Sequence, residues 1–206
     1  MKNLCYPMIK RFLDILFCIL LIIVFLPFFC LIAIIIKIDS KGPIFYKGIR
    51  TGRLNKKFKI YKFRTMIQNA EKLGSGVTAK NDSRITKIGK ILRKNKFDEL
   101  PQLFNVLKGE MSFVGPRPEL PEYTDRYSAE ELCILDVMPG ITDYSSLEFI
   151  QLGEIVGNEE SNHIKIAEEK ILPLKNALRV KYVKVRSFKV DVEILIKTFL
   201  KIVFKV

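Results

Sequence analysis

Residues 15–36 read ILFCILLIIVFLPFFCLIAIII, 22 consecutive residues without a charge. That is the length a helix needs to cross the hydrocarbon core of a bilayer. A cleaved signal peptide fits poorly, because the apolar stretch is too long and no small-residue cleavage pattern follows it. Pro27 stands near the middle, where a helix loses one backbone hydrogen bond and meets the proline ring. Membrane helices tolerate such a defect. Both flanks are basic: Lys2, Lys10 and Arg11 come before, and Lys37, Lys41, Lys47 and Arg50 after. Basic flanks favour the cytosolic side, and here the rule claims both ends. Two readings stand, a kinked span and a re-entrant hairpin broken at Leu26-Pro27 that enters one leaflet and returns. On either reading the chain divides into a membrane element over 1–38 and a domain over 39–206.

Charge follows the same division. The 206 residues carry 35 Lys and Arg against 22 Asp and Glu, a formal +13, and residues 1–64 alone hold 13 basic and two acidic residues. A basic margin beside an apolar anchor suits an anionic leaflet, at about 1 kcal/mol per cation near the surface. Nucleic acid would accept the same charge, but a membrane anchor makes that partner the weaker reading. The four cysteines, Cys5, Cys18, Cys30 and Cys133, show neither a disulfide framework nor zinc-ligand spacing, which fits a reduced, cytosol-facing compartment. The single histidine, His163, has no ligand partners near it in sequence.

Downstream, Asp39-Ser40-Lys41-Gly42-Pro43 is a turn that ends the membrane element. Ile44–Tyr46 and Phe58–Phe63, with Gly48, Gly52 and Asn55 between them, predict a small β-hairpin. A helical turn is expected over 68–73, stopped by Gly74-Ser75-Gly76, and a basic helix over 85–94. Pro101 to Leu107 predicts a short helix with Gly109 as its stop. Further helices are expected over 119–127, 129–137 and 159–182, the last interrupted near Pro173. In the segment 188–206, Lys189, Glu193, Lys197, Lys201 and Lys205 recur every fourth residue with apolar residues between. This is an amphipathic helix that either packs on the core or lies in the membrane interface. The fold class is α+β and helix-rich.

The densest chemical group is Phe97-Asp98-Glu99-Leu100-Pro101-Gln102. Two adjacent carboxylates precede a helix whose first turn accepts Pro101. The plain account makes Asp98 an N-cap. The chemical account adds Arg84, Lys87, Lys90, Arg93, Lys94 and Lys96 upstream, and a helix start that attracts phosphate. One carboxylate could then attack phosphorus while the other, Glu99, holds Mg²⁺, which prefers oxygen ligands and substrate phosphates. Lys62, Arg64 and Thr65 end the β-hairpin and offer further phosphate contacts. Arg117, fixed between Pro116 and Pro118, offers a planar fork on a rigid loop. Surface charge is the plain alternative for each.

Several strings together resemble the bacterial sugar transferase family, the monotopic phosphoglycosyl transferases. They are Lys10-Arg11-Phe12-Leu13-Asp14-Ile15, KGPIFYKGIRTGR (41–53), FKIYKFRTM (58–66), DSRITKIGKILR (82–93), FDELPQLFNVLKGEMSFVGPRPEL (97–120) and PGIT (139–142). The resemblance implies that Asp98 is the nucleophile toward a UDP-sugar, releasing UMP and holding a phosphosugar that passes to polyprenyl phosphate, here undecaprenyl phosphate. It implies that Glu99 binds Mg²⁺, that Arg117 in its Pro-Arg-Pro loop binds donor, and that Asp82, Arg84 and Arg93 shape the phosphate site. It also implies a re-entrant helix, membrane lipids as partners, a short catalytic-domain-only chain on the cytosolic face of the bacterial inner membrane, and the first membrane step of glycoconjugate assembly (O-antigen, capsule, exopolysaccharide or glycoprotein glycan). No nucleic-acid partner is implied, and the oligomeric state, a dimer included, stays open. The chain departs from the family at Leu26-Pro27, where relatives often have Ser-Pro, and at Asp143, where they often have Gly after PGIT. The alternative function is a non-catalytic basic adaptor on a membrane surface.

Overall fold

The computed structural model describes residues 5–70, 82–149 and 170–204. Within them, helix α1 runs Cys5–Asp39, 35 residues with Pro27 inside, or about 52 Å at 1.5 Å per residue. The helix runs through Leu26-Pro27 with no turn between its two halves. Pro27 and Leu26 both face out. This is the only helix among the described residues long and apolar enough to cross a membrane, and only 17% of its apolar window is buried. A core helix of a water-soluble domain would be covered; here Phe12, Ile23, Val24 and Ile34 stand exposed.

The covered side of α1 carries Cys18, Phe29, Ile32 and Ile36, which pack into one core with Ile60, Phe63, Leu92, Leu103 and Val106. Polar contacts fix the helix along its length. Arg11 donates to Val106 O at 2.7 Å and Cys18 to Leu103 O at 3.0 Å. Near the far end, Asp39 accepts the Ile88 N–H at 3.2 Å. Both ends of α1 therefore rest on the same domain.

Strands β1 (Phe45–Thr51) and β2 (Lys57–Phe63) form the expected antiparallel hairpin, with Phe45 opposite Phe63 and Thr51 opposite Lys57. Gly48 belongs to β1, opposite Ile60, rather than to the turn. The Tyr46 ring lies over it, and a Cβ there would come within 2.7 Å of the Tyr46 hydroxyl. Helix α2 spans Lys87–Lys94 with Thr86 as a side-chain N-cap. Helix α3 spans Gln102–Lys108 and ends on Gly109 at φ 81°, the left-handed cap that glycine adopts most easily. Asn105 fastens α3 to the free edge of β2: its Oδ1 accepts the Tyr61 N–H at 2.9 Å and its Nδ2 donates to Lys59 O at 2.8 Å. That contact sets Lys62 and the start of α3 side by side.

A second small sheet pairs β3 (Ser112–Val114) in parallel with β4 (Gly140–Thr142). The helices expected over 119–127 and 129–137 are shorter: α4 covers Pro121–Thr124, and a 3-10 segment covers Glu131–Asp136. The sequence shows Pro, Gly and charge at the flanks, leaving too few apolar residues for a longer buried face. Helices α5 (Tyr144–Glu148), α6 (Leu172–Val185) and α7 (Phe188–Phe204) complete the described chain. Pro173 sits in the first turn of α6, where its missing N–H costs nothing. The glycine stop at 74–76, the first half of the 159–182 helix, and His163 lie outside the described residues. Helix α7 buries Asp191 and Ile194 and leaves Ile196, Phe199, Val203 and Phe204 exposed.

Candidate active site

Asp98 and Glu99 lie in a 3-10 turn, Phe97–Glu99, between α2 and α3, entered through Lys96 at φ 58°. Asp98 is therefore not the N-cap of α3. The cap position falls to Pro101, and no side chain caps it. Freed from capping, Asp98 is buried at 8% exposure, and its Oδ1 has no hydrogen-bond partner. A buried carboxylate oxygen without a partner is costly, which marks it as available for a ligand.

Glu99 is held by two cations. Lys62, on β2, reaches Oε1 at 2.8 Å. Arg117 forks onto both oxygens, with Nη1 3.1 Å from Oε2 and Nη2 on Oε1. The same Nη1 donates to Ile141 O at 3.2 Å. The rigidity expected of the Pro-Arg-Pro loop comes from packing: Pro116 and Pro118 are buried, Pro116 O accepts the Gly140 N–H at 3.0 Å, and a Cβ on Gly140 would sit 2.1 Å from Gly115 N. Only glycine allows the two segments to lie this close.

The two carboxyls titrate in opposite directions. Burial pushes Asp98 above the usual carboxylate range; Lys62 opposes that, the Glu99 charge reinforces it, and Arg93 and Lys96 oppose it further. Burial also works against ionised Glu99, but Arg117 and Lys62 outweigh it and hold that carboxyl well below the ordinary range. A helix start does not set the charge of Asp98 here. Asp98 depends on its three neighbouring cations.

Arg93, on α2, feels Asp98 and Asp82 and donates to Thr65 Oγ1 at 2.8 Å. Asp82 and Arg84 form a two-point pair, with Nη2 2.6 Å from Oδ2 and Nε 2.9 Å from Oδ1. The arginine holds Asp82 below the usual range. Asp98, Glu99, Lys62, Arg93, Thr65, Asp82, Arg84 and Arg117 are accordingly gathered into one region. Arg64 is not. Its guanidinium donates to Lys41 O at 2.8 Å, Ser40 O at 2.6 Å and Ile36 O at 3.3 Å. It fastens the turn that follows α1 to the end of the helix. The expectation of a phosphate contact from Arg64 is corrected on that ground.

Among the described residues no group of three or more His, Cys, Asp or Glu could hold a metal ion. A pair is still compatible with Mg²⁺, which uses one or two carboxylates and completes its shell with water and substrate phosphate. The unpartnered Asp98 Oδ1 beside Glu99 fits that donor set, with Glu99 offering the lone pairs its cations leave free.

Sequence reading missed Asp143, Glu119 and Arg179. The carboxylate of Asp143 accepts the Arg117 N–H at 3.1 Å, and Arg179 reaches Glu119 at 2.5 Å. Nothing local in the sequence links α6 to the Arg117 loop. The only signal was Asp143 standing where relatives often have glycine.

Fold and site define a class: a small α+β domain seated on a long exposed apolar helix, with an adjacent carboxylate pair ringed by cations. The chain belongs to the bacterial sugar transferase family, whose model matches residues 5–205. It is 46% identical over 125 residues to UDP-N-acetylgalactosamine-undecaprenyl-phosphate N-acetylgalactosaminephosphotransferase of Aeromonas hydrophila, covering 61% of this chain and 30% of that protein. It is 34% identical over 206 residues to undecaprenyl-phosphate glucose phosphotransferase of Komagataeibacter xylinus, covering 95% of this chain and 36% of that protein. It is 33% identical over 192 residues to UDP-glucose:undecaprenyl-phosphate glucose-1-phosphate transferase of Caulobacter vibrioides, covering 92% of this chain and 67% of that protein. The chain thus spans about a third of the first two relatives.

Proposed function

We propose that this chain is a phosphoglycosyl transferase that moves a sugar 1-phosphate from a UDP-sugar to undecaprenyl phosphate. The observation that carries the reading is Asp98 Oδ1: buried, unpartnered, and set among Lys62, Arg93 and Lys96 next to a fully ion-paired Glu99. An Asp98 oxygen attacks the β-phosphorus. The bond from phosphorus to the bridging oxygen breaks, and UMP leaves with the electron pair. The phosphosugar remains on Asp98 as an acyl phosphate. An oxygen of undecaprenyl phosphate then attacks the same phosphorus, which restores the Asp98 carboxylate and yields a diphosphate-linked lipid sugar. Splitting the transfer into two displacements at one carboxylate is covalent catalysis. Lys62, Arg93 and Arg117 orient the donor's phosphates and balance charge as it moves. Glu99, with Asp98, is the residue that would hold Mg²⁺, whose charge would shield the carboxylate from the incoming diphosphate.

The reading extends to topology. Helix α1 enters and leaves the cytosolic leaflet of the bacterial inner membrane, and α7 lies in the interface with its lysines toward headgroups. Support comes from α1 resting on one domain at both ends, and from basic flanks on both sides of the apolar run. A straight span would carry one end about 30 Å away across hydrocarbon. The relatives' names differ in the sugar.

The test is UMP release from a panel of UDP-sugars with lipid acceptor in nanodiscs. Asp98→Asn should abolish release and leave membrane association intact. Labelled donor should leave phosphosugar on Asp98 when acceptor is withheld. Near-normal turnover in that variant overturns the nucleophile.

A further inference from the structure

Behind the Arg117 loop lies a buried ionic cluster that takes no part in the two displacements. Arg179, on α6, and Asp143 have side chains with no exposed surface. Arg179 Nη2 donates to Glu119 at 2.5 Å and Nη1 to Asn176 Oδ1 at 2.8 Å. Its Nε lies 3.9 Å from Asp143 Oδ2 and makes no hydrogen bond. A guanidinium this deep is tolerated only against matched negative charge, and its two carboxylates bracket the loop. Glu119 directly follows Pro118 in the chain. Asp143 Oδ2 accepts the Arg117 N–H at 3.1 Å. Asp143 also caps α5, with Oδ1 2.6 Å from Ser146 N, but capping needs neither the second oxygen on Arg117 nor a buried arginine behind it.

We infer that Asp143 and Arg179 are positioning residues for Arg117. They fix the backbone from which its guanidinium forks onto Glu99 and faces the donor diphosphate. The inference rests on the proposed donor-binding role of Arg117. Neither residue touches substrate; both act through one N–H group and one loop. If so, disturbing them changes donor affinity only while the Arg117 side chain is there to be aimed.

The experiment is a double-mutant cycle on the full-length chain in nanodiscs. Asp143→Asn and Arg179→Lys are each made in the native and Arg117→Lys backgrounds. Donor KM, kcat for UMP release, binding of UDP as a diphosphate probe, and Tm are measured for each. Asn at 143 keeps a cap oxygen while removing the charge. Lys at 179 keeps the charge and loses the fork. In the native background each should raise donor KM and weaken UDP binding about tenfold, the scale of one charged hydrogen bond. In the Arg117→Lys background the same changes should fall below about twofold. A purely structural cluster would lower Tm and kcat alike in both backgrounds with KM and UDP binding unmoved, and that result overturns the inference. If either substitution prevents folding, the other carries the cycle. If Arg117→Lys itself leaves KM and UDP binding unchanged, the donor-binding role is wrong and the inference falls with it. If it raises KM and weakens UDP binding but the cycle is additive, only the inference falls.

Discussion

Removing the ammonium of Lys62 should move the acid limb of the reaction to higher pH. Lys62 Nζ is 2.8 Å from Glu99 Oε1, and its side chain is only 23% exposed. Of the charges that oppose the burial of Asp98, it is the largest. A nearby opposite charge moves a carboxyl by roughly one to three pH units. Arg93 and Lys96 remain, and water reaches part of the site, so the lower end applies: about one pH unit, or about 1.4 kcal/mol. The sign is fixed by the chemistry. Attack needs the ionised carboxylate, and activity is lost as pH falls through the Asp98 pKa. Lys62→Met raises that pKa further, so the loss begins at higher pH. Glu99 stays ionised, because Arg117 still forks onto it. The assay is kcat/KM for UMP release from pH 5 to 9, which reports ionisations of the free protein. Lys62→Arg, which keeps the charge, should restore the limb. An acid limb that stays in place, or moves down, in a folded Lys62→Met protein refutes the electrostatic account of Asp98.

Asp98→Asn should be inactive and yet more heat-stable at pH 7.5, by about 2–4 °C for each kcal/mol relieved. Its carboxyl is raised in the folded state, so ionisation costs stability at neutral pH, and the gap from Asn should close as the pH falls and Asp98 protonates; a Tm difference independent of pH argues against it. Arg64→Ala should lower stability by about 1–3 kcal/mol, because it removes the guanidinium contacts that hold the turn after α1, while donor KM in the folded fraction stays native; a raised donor KM would return Arg64 to the phosphate site. Gly89→Ala should cost about 1–3 kcal/mol and lower activity, since its Cβ would meet Thr65 O at 2.1 Å and shift the strand end that holds Arg93; denaturant unfolding and UMP release check both. Chelation with EDTA should stop UMP release and added Mg²⁺ restore it, full activity in EDTA being the contrary result.

What could be read in the sequence was whatever is local. The 22-residue apolar run, the hairpin, the basic helix before Asp98 and the glycine stop at 109 each declare themselves within a few residues. So did the candidate pair, because adjacent carboxylates beside Pro101 and clustered cations are a local pattern. What stayed hidden was tertiary. Arg64 looked like a phosphate ligand because nothing nearby in sequence shows that α1 ends against it. Asp98 looked like a cap because the 3-10 turn that contains it leaves no periodic trace. Gly48 looked like a turn because the Tyr46 ring that covers it is a packing fact. Arg179 and Asp143 meet only after α6 folds back behind the loop.

The two carboxylates share a turn but not an environment, and that difference gives them different work. Glu99 is neutralised twice over, by Lys62 and by both arms of Arg117, so its charge is permanent and its geometry fixed. Asp98 has no such partners, only burial and cations at a distance, so its charge is conditional and one oxygen is free. Groups forced apart in this way tend to separate the roles of anchor and reactant. The separation depends on α3 being pinned to the β2 edge by Asn105, since that contact brings Lys62 to Glu99 and leaves Asp98 to the charges of Lys62, Arg93 and Lys96. It depends equally on the Arg117 loop being held by β4 and α6. Helix α1 packs on the same core as α2 and α3. The apolar surface that would meet lipid and the oxygen that would meet phosphorus are therefore parts of one rigid unit, as a reaction between a water-soluble donor and a lipid acceptor requires.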